Sequence, residues 1–421
     1  MAYPVVAATN TTADTDGTST VINMPASISA GDLLIVWDAN DATGTPRSQS
    51  GGSDWTRIST GANGTTVSMA IFAKIAAGGD TLTLAGAAQD SATVSVRITG
   101  HGVTNVRVDI IIGTPATGTD AAPDPPTVTH GGPQDYLVIE GFSADDDTET
   151  ATYWSTNYSA VNWAQSANST SSCMVALGQR SVNGTSENPG KMALGGAEAW
   201  VAQTLSIPPV LPTFYQKYSD AFTRADNTDL GSEWDAGYTG RDPINLVSNS
   251  VRATTLNVNA VESQNVYSAP ADQWCQFTLG TWSGAVNSGL TLIYRAAAPS
   301  TVTWMECDIH INTTETRISE RVAGARTGLA TESTTTYATN DVIRCFSIGT
   351  RHVIQKNQVS VLVGVGSGVT SGSRSGLDIF VATGGSLANV TVLDFQAGDF
   401  VAPGKINPTI IQTAVHRSFS W

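Results

Sequence analysis

Apolar and polar residues alternate along most of this chain with a period of two, in short runs broken by Gly, Asn, Asp and Pro. That is the pattern of half-buried β-strands. In the first half the alternation predicts strands over 67–74, 81–84, 93–98, 107–112, 136–142, 174–180 and 199–207. Gly31-Asp-Leu-Leu-Ile-Val-Trp37 reads as a turn followed by a strand apolar on both faces, which belongs in the middle of a sheet. In the second half strands are expected near 243–247, 250–255, 272–280, 288–295, 302–311, 314–320, 342–348, 351–355, 359–364, 374–380 and 389–396. Lys356-Asn357-Gln358 is a hairpin turn, after which Val359, Val361 and Val363 alternate. No segment keeps a 3.6-residue period over a helical length and no heptad is present, which excludes a coiled-coil stalk. The expected fold is all-β.

The pattern divides at Pro208-Pro209-Val-Leu-Pro212, a stiff extended connector because proline fixes φ and restricts the residue before it. The expected organisation is a β-sandwich (jelly-roll-like) domain over 1–208, a Pro-rich linker over 209–213, a second sandwich over 214–400 and an extended C-terminal arm over 401–421. The arm carries Lys405, His416 and Arg417 but no acidic residue. Its Ile410, Val415, Phe419 and Trp421 suit a strand added to the sheet edge of a neighbouring subunit.

Composition narrows the function. Charged residues are 14% of 421, with 40 Gly and a formal charge of −15. That balance excludes a nucleic-acid groove and an anionic membrane surface, both of which rest on Lys/Arg clusters. Residues 1–9 have neither a basic region nor a long apolar run, and no stretch approaches the ~18 apolar residues of a membrane span. Synthesis in a host cytoplasm without a signal peptide is therefore expected. Cys173, Cys275, Cys307 and Cys345 lack metal-ligand spacing and read as buried thiols. No metal or cofactor is expected.

Candidate chemistry concentrates in Val302-Thr-Trp-Met-Glu-Cys-Asp-Ile-His-Ile311. On a strand, Met305, Cys307, Ile309 and Ile311 share a core face, while Trp304, Glu306, Asp308 and His310 share the other. The second face is either a solvated sheet surface or a sugar-binding face using Trp304. Asp145-Asp146-Asp147 is read as an acidic surface turn rather than a Ca²⁺ site, since EF-hand ligand spacing is missing. Tyr153, Trp154, Tyr158 and Trp163 form either a sugar-stacking loop or a loop packed on its own aromatics.

Two resemblances add to this. Asp220, Phe222, Arg224, Asp226, Leu230, Gly231 and Trp234, in the order D-x-F-x-R-x-D…L-G-x-x-W, resemble the start of concanavalin A-like lectin/glucanase sandwiches that recur in bacteriophage structural proteins. Glu306 and Asp308 match the first two positions of the E-x-D-x-E active strand of glucanases built on that sandwich, and His310 replaces the general acid. Gly31-Asp32-Leu33-Leu34, Gly51…Trp55 and the closing Trp200…Pro208 stretch resemble β-sandwich modules of phage tail and virion proteins. The resemblances imply a non-enzymatic structural component of a tailed-phage virion, either a head decoration or a tail or fibre accessory. Its partners would be other virion proteins and copies of itself. The alternative is a carbohydrate-binding adhesin for host-surface glycan, and the third reading is a glycanase.

Overall fold

The computed structural model describes residues 2–41, 44–145, 154–166, 172–235, 238, 241–265, 267–283, 288–297, 302–310, 315–366, 368–383 and 385–401. The chain forms two compact units, Met1–Leu211 and Pro212–Trp421. Both are β-sandwiches of antiparallel strands. The expected arm residues Ile410, Val415, Phe419 and Trp421 lie outside the described residues.

In the first unit one sheet runs Val5–Val21, Thr83–Thr99, Leu33–Asp41, Val67–Ile75, Thr56–Asn63. The other runs Ser159–Gln165, Cys173–Glu187, Val128–Asp145, Trp200–Ile207, Ile111–Ile112. Leu33–Asp41 is central, and its two faces serve two apolar clusters. Ile35 and Trp37 join Leu137, Ile139, Val175 and Leu205 between the sheets, whereas Leu34 and Val36 pack with Trp55, Phe72 and Leu82 on the opposite face. The strand expected over 107–112 is corrected. Val106–Asp109 is a helical turn, because the Asn105 side chain caps the Arg107 N–H and Asp109 accepts from the Thr104 and Asn105 N–H groups. Of that range only Ile111–Ile112 forms a strand. Segments 81–84 and 93–98 are the two ends of one strand, Thr83–Thr99, joined through a polar run that pairs with Val5–Val21 across register shifts.

The second unit has an eight-stranded and a seven-stranded sheet among its described residues. The eight-stranded sheet runs Asn245–Val247, Ser250–Arg252, Val390–Val401, Gln273–Trp282, Val342–Ile348, Arg351–Lys356, Val359–Val365, with Thr213–Asp220 also paired to Val390–Val401. The seven-stranded sheet runs Trp234–Asp235, Ala260–Gln264, Arg374–Phe380, Gly289–Ala296, Trp304–His310, Thr316–Val322, Ala325–Glu332. Cys275, Phe277 and Phe395 of the first meet Leu290, Leu292, Met305, Cys307 and Ile309 of the second in one core. All four cysteines are buried free thiols, and burial pushes the thiols of Cys173, Cys275 and Cys345 well up from their ordinary value.

The sequence motif that opens this unit has a physical basis. Phe222 and Trp234 are buried, and the Asp220 carboxylate accepts from the Phe222 N–H, the Arg224 guanidinium and the Trp234 indole at 2.7–3.0 Å. One side chain thus ties the end of a strand, a loop and a distant aromatic together. Phe222 sits at φ 53°, a left-handed conformation that these bonds hold in place.

Candidate functional site

The Trp304–His310 strand lies between Gly289–Ala296 and Thr316–Val322 in the seven-stranded sheet. Its alternation sends Met305, Cys307 and Ile309 into the core. The other face is not a solvated surface, which corrects that expectation, and Trp304 is not available on it for stacking against a sugar. Trp304 has no exposed surface: it meets Tyr238 edge to face at 5.2 Å and packs with Val261 and Ile293. Its indole N–H donates to Glu306 Oε1 at 2.8 Å. Glu306 and Asp308 are buried as well.

Two partly exposed arginines from the next strands hold these carboxylates. Arg321 Nε donates to Glu306 Oε1 at 2.6 Å, and Arg326 Nε forms an ion pair with Glu306 Oε2 at 2.8 Å. The Arg326 guanidinium also pairs with Asp308 Oδ2, while the Thr291 hydroxyl donates to Asp308 Oδ1. Arg321 and Arg326 are direct cross-strand partners. Two like charges opposite one another repel, and the carboxylate of Glu306 between them offsets this.

Register brings in a third carboxyl. Asp308 stands beside Thr291, and Thr291 beside Asp378, so the three form a row across the sheet. The adjacent row is His310, Gly289, Phe380. These two rows, with Asn259, Arg321 and Arg326, line a cavity of about 190 Å³. Gly289 is needed for close approach, since a Cβ there would sit 2.8 Å from the Ile309 carbonyl oxygen and 3.3 Å from His310 Nδ1. Burial pulls the half-buried His310 imidazole below its ordinary value. Asp378 is 5% exposed. Burial pushes its carboxyl up to about 6, with the Glu306 charge adding to the effect and the Asn259 hydrogen bond, Arg241 and Arg321 opposing it.

No family model matches the chain, and no curated protein matches it. Solved structures similar in fold include the carbohydrate binding module CBM66 from Bacillus subtilis, at 11% identity and a TM-score of 0.31, over 41% of this chain and 96% of that one. Sheep galectin-11 is similar at 8% identity and a TM-score of 0.26, over 34% of this chain and 99% of the galectin. The VIP36 exoplasmic/lumenal domain is similar at 11% identity and a TM-score of 0.33, over 47% of this chain and 94% of that one.

Sequence reasoning placed Glu306, Asp308 and His310 on one face, and the structure brings them to one cavity. It missed Asp378, Thr291, Asn259, Arg321 and Arg326. Asp378 carried a signal, as a lone acid between the core residues Leu377 and Ile379 on an apolar strand. The arginines carried none, because their role depends on pairing between strands. Among the described residues no group of three His, Cys, Asp or Glu side chains is arranged to hold a metal ion. Asp146, Asp147 and Tyr153 lie outside the described residues. Trp154 donates its indole N–H to the Leu177 carbonyl, Tyr158 its hydroxyl to Glu187, and Trp163 is exposed.

Burying two carboxylates has a desolvation cost that ion pairing seldom more than offsets. Here the arrangement fixes two guanidinium groups at a cavity wall. The cavity therefore presents pre-oriented donors from Arg321, Arg326 and Asn259 beside the acceptor oxygens of Asp378 and the flat rings of His310 and Phe380.

Proposed function

We propose that the second unit binds carbohydrate in this cavity, on the face of the seven-stranded sheet turned away from the core. The observation that carries the reading is the set of convergent, pre-oriented hydrogen-bonding groups around one small depression. Sugar hydroxyls both donate and accept, and they are matched by side chains held in place before the ligand arrives. The volume, about 190 Å³, is below the roughly 300–1,000 Å³ of drug-sized pockets and suits one sugar ring with its chain extending outwards. Phe380 and His310 offer apolar ring surface to the C–H face of that sugar.

A glycan array probed with the full chain, followed by calorimetry on the strongest hits, tests this. The full chain should retain a defined set of glycans. Asn259→Ala and Arg326→Lys should weaken binding about 10-fold each, the effect of losing one well-placed polar contact. Retention of no glycan, or variants that bind as the parent does, would remove the reading.

A further inference from the structure

Of the three carboxyls lining the cavity, Asp308 and Asp378 lie in unlike surroundings, and neither sits where the glucanase strand pattern would place an acid. Asp308 and Asp378 share a sheet face with the Gly289–Ala296 strand between them. Neighbouring strands are about 4.8 Å apart, so their Cα atoms are on the order of 10 Å apart. Thr291, whose hydroxyl is bonded to Asp308, stands in the gap. Asp308 is salt-bridged to Arg326. Asp378 makes no salt bridge among the described residues, and Asn259 donates to its Oδ1 at 2.8 Å.

We propose that this cavity hydrolyses a glycosidic bond of the glycan it holds, with inversion at the anomeric carbon, Asp378 acting as general acid and Asp308 as general base. This rests on the carbohydrate-binding reading above. Carboxyls of inverting glycosidases are ≈ 6.5–9.5 Å apart, leaving room for a water between base and sugar, and the two-strand offset suits that separation rather than the ≈ 5–5.5 Å of a retaining pair.

The atoms balance with water as the co-reactant. Asp378 gives its proton to the glycosidic oxygen as the bond from that oxygen to the anomeric carbon breaks. Water forms the new bond to that carbon from the opposite face and passes a proton to Asp308. Asp378 is left as carboxylate and Asp308 as acid, and proton exchange with solvent restores both.

The surroundings of Asp378 suit the role. Burial places its carboxyl at about 6, among Asn259, Thr291, Arg241, Arg321 and Glu306. Below that pH it carries the proton an acid must give, and two carboxyls in environments this different are the usual mark of an acid and base pair. Glu306, bonded to Trp304, Arg321 and Arg326, is a positioning residue for the guanidinium wall.

The experiment takes a glycan that the full chain binds and incubates it with the protein from about pH 5 to about pH 7.5, spanning the acid's titration. New reducing ends should appear, faster at the acid end, and NMR of the first product should show the inverted anomer. Asp378→Asn keeps the shape of the neutral acid and should fold and bind. It should cleave the glycan at least about 100-fold more slowly, while still cleaving an aryl glycoside whose leaving group needs no proton. Asp308→Asn should lose both activities. A bound glycan that stays intact across this range overturns the proposal, as does an Asp378→Asn chain as fast as the parent. A retained anomer overturns the assignment of Asp308 as base. A protein that holds no glycan at all fails the binding reading first and takes this inference with it. The wild-type arms alone decide if a variant does not fold.

Discussion

Single side chains in this protein do work at a distance. Asp220 joins a strand end, a loop and a tryptophan through three hydrogen bonds. Asp220→Ala should destabilise the second unit by about 2–4 kcal/mol, since it orphans buried donors and releases a left-handed Phe222. Urea unfolding followed by tryptophan fluorescence measures this, and a loss under about 0.5 kcal/mol would refute it. Asp378 makes a different prediction. Its folded value, about 6, is above the ordinary 3.8, so the folded state binds more protons between them. Its contribution to stability is fully present below the ordinary value and is lost as pH rises through about 6, on the order of 3 kcal/mol in all. Glu140 and Glu262, each raised to about 7 by burial, act with the same sign. His352 acts oppositely, because burial lowers it to about 3 and its contribution, present above its ordinary value of 6.5, is lost as pH falls from there through about 3. The comparison that isolates Asp378 is therefore parent against Asp378→Asn, with the variant gaining relative stability as pH rises from about 4 to about 7. An unchanging difference across that range would contradict the assignment.

At the scale of elements, turns and registers set which side chains meet. The hairpin after Arg351–Lys356 turns on Asn357 at φ 49° and Gln358 at φ 72°, both left-handed, as the twist of a two-residue hairpin requires. Asn tolerates this conformation, and Gln with its Cβ less so. Gln358→Gly should raise stability by about 1 kcal/mol, seen as a higher denaturant midpoint with an unchanged slope. An equal or lower midpoint would show that the glutamine side chain has a compensating contact. Register has larger consequences. A one-residue slip of Arg374–Phe380 would turn Asp378 into the core and Leu377 to solvent, so the apolar pattern of that strand also holds the cavity's third carboxyl in place.

For the whole molecule, alternation, turn residues and the absence of helical periodicity determined an all-β fold, the central position of Leu33–Asp41, the core face of Trp304–His310 and the burial of the cysteines. These are local properties: a period of two marks one face apolar wherever the strand lies. Trp304 shows the limit of that reasoning. Alternation assigns it to the outer face, yet Tyr238, Val261 and Ile293 cover it there. Helical capping at Asn105 likewise overrode a strand-like pattern within two residues. The virion location implied by the sequence resemblance is a proposal separate from sugar binding, and mass spectrometry of purified particles tests it by finding this chain among their proteins. Tertiary structure alone decided that Arg326 closes on Glu306 and Asp308, and that Asp378 stands two strands from Asp308. Partners some 18 to 70 positions apart meet only through strand order and register. Those follow from how all the strands pack together, which the pattern of any single strand does not contain.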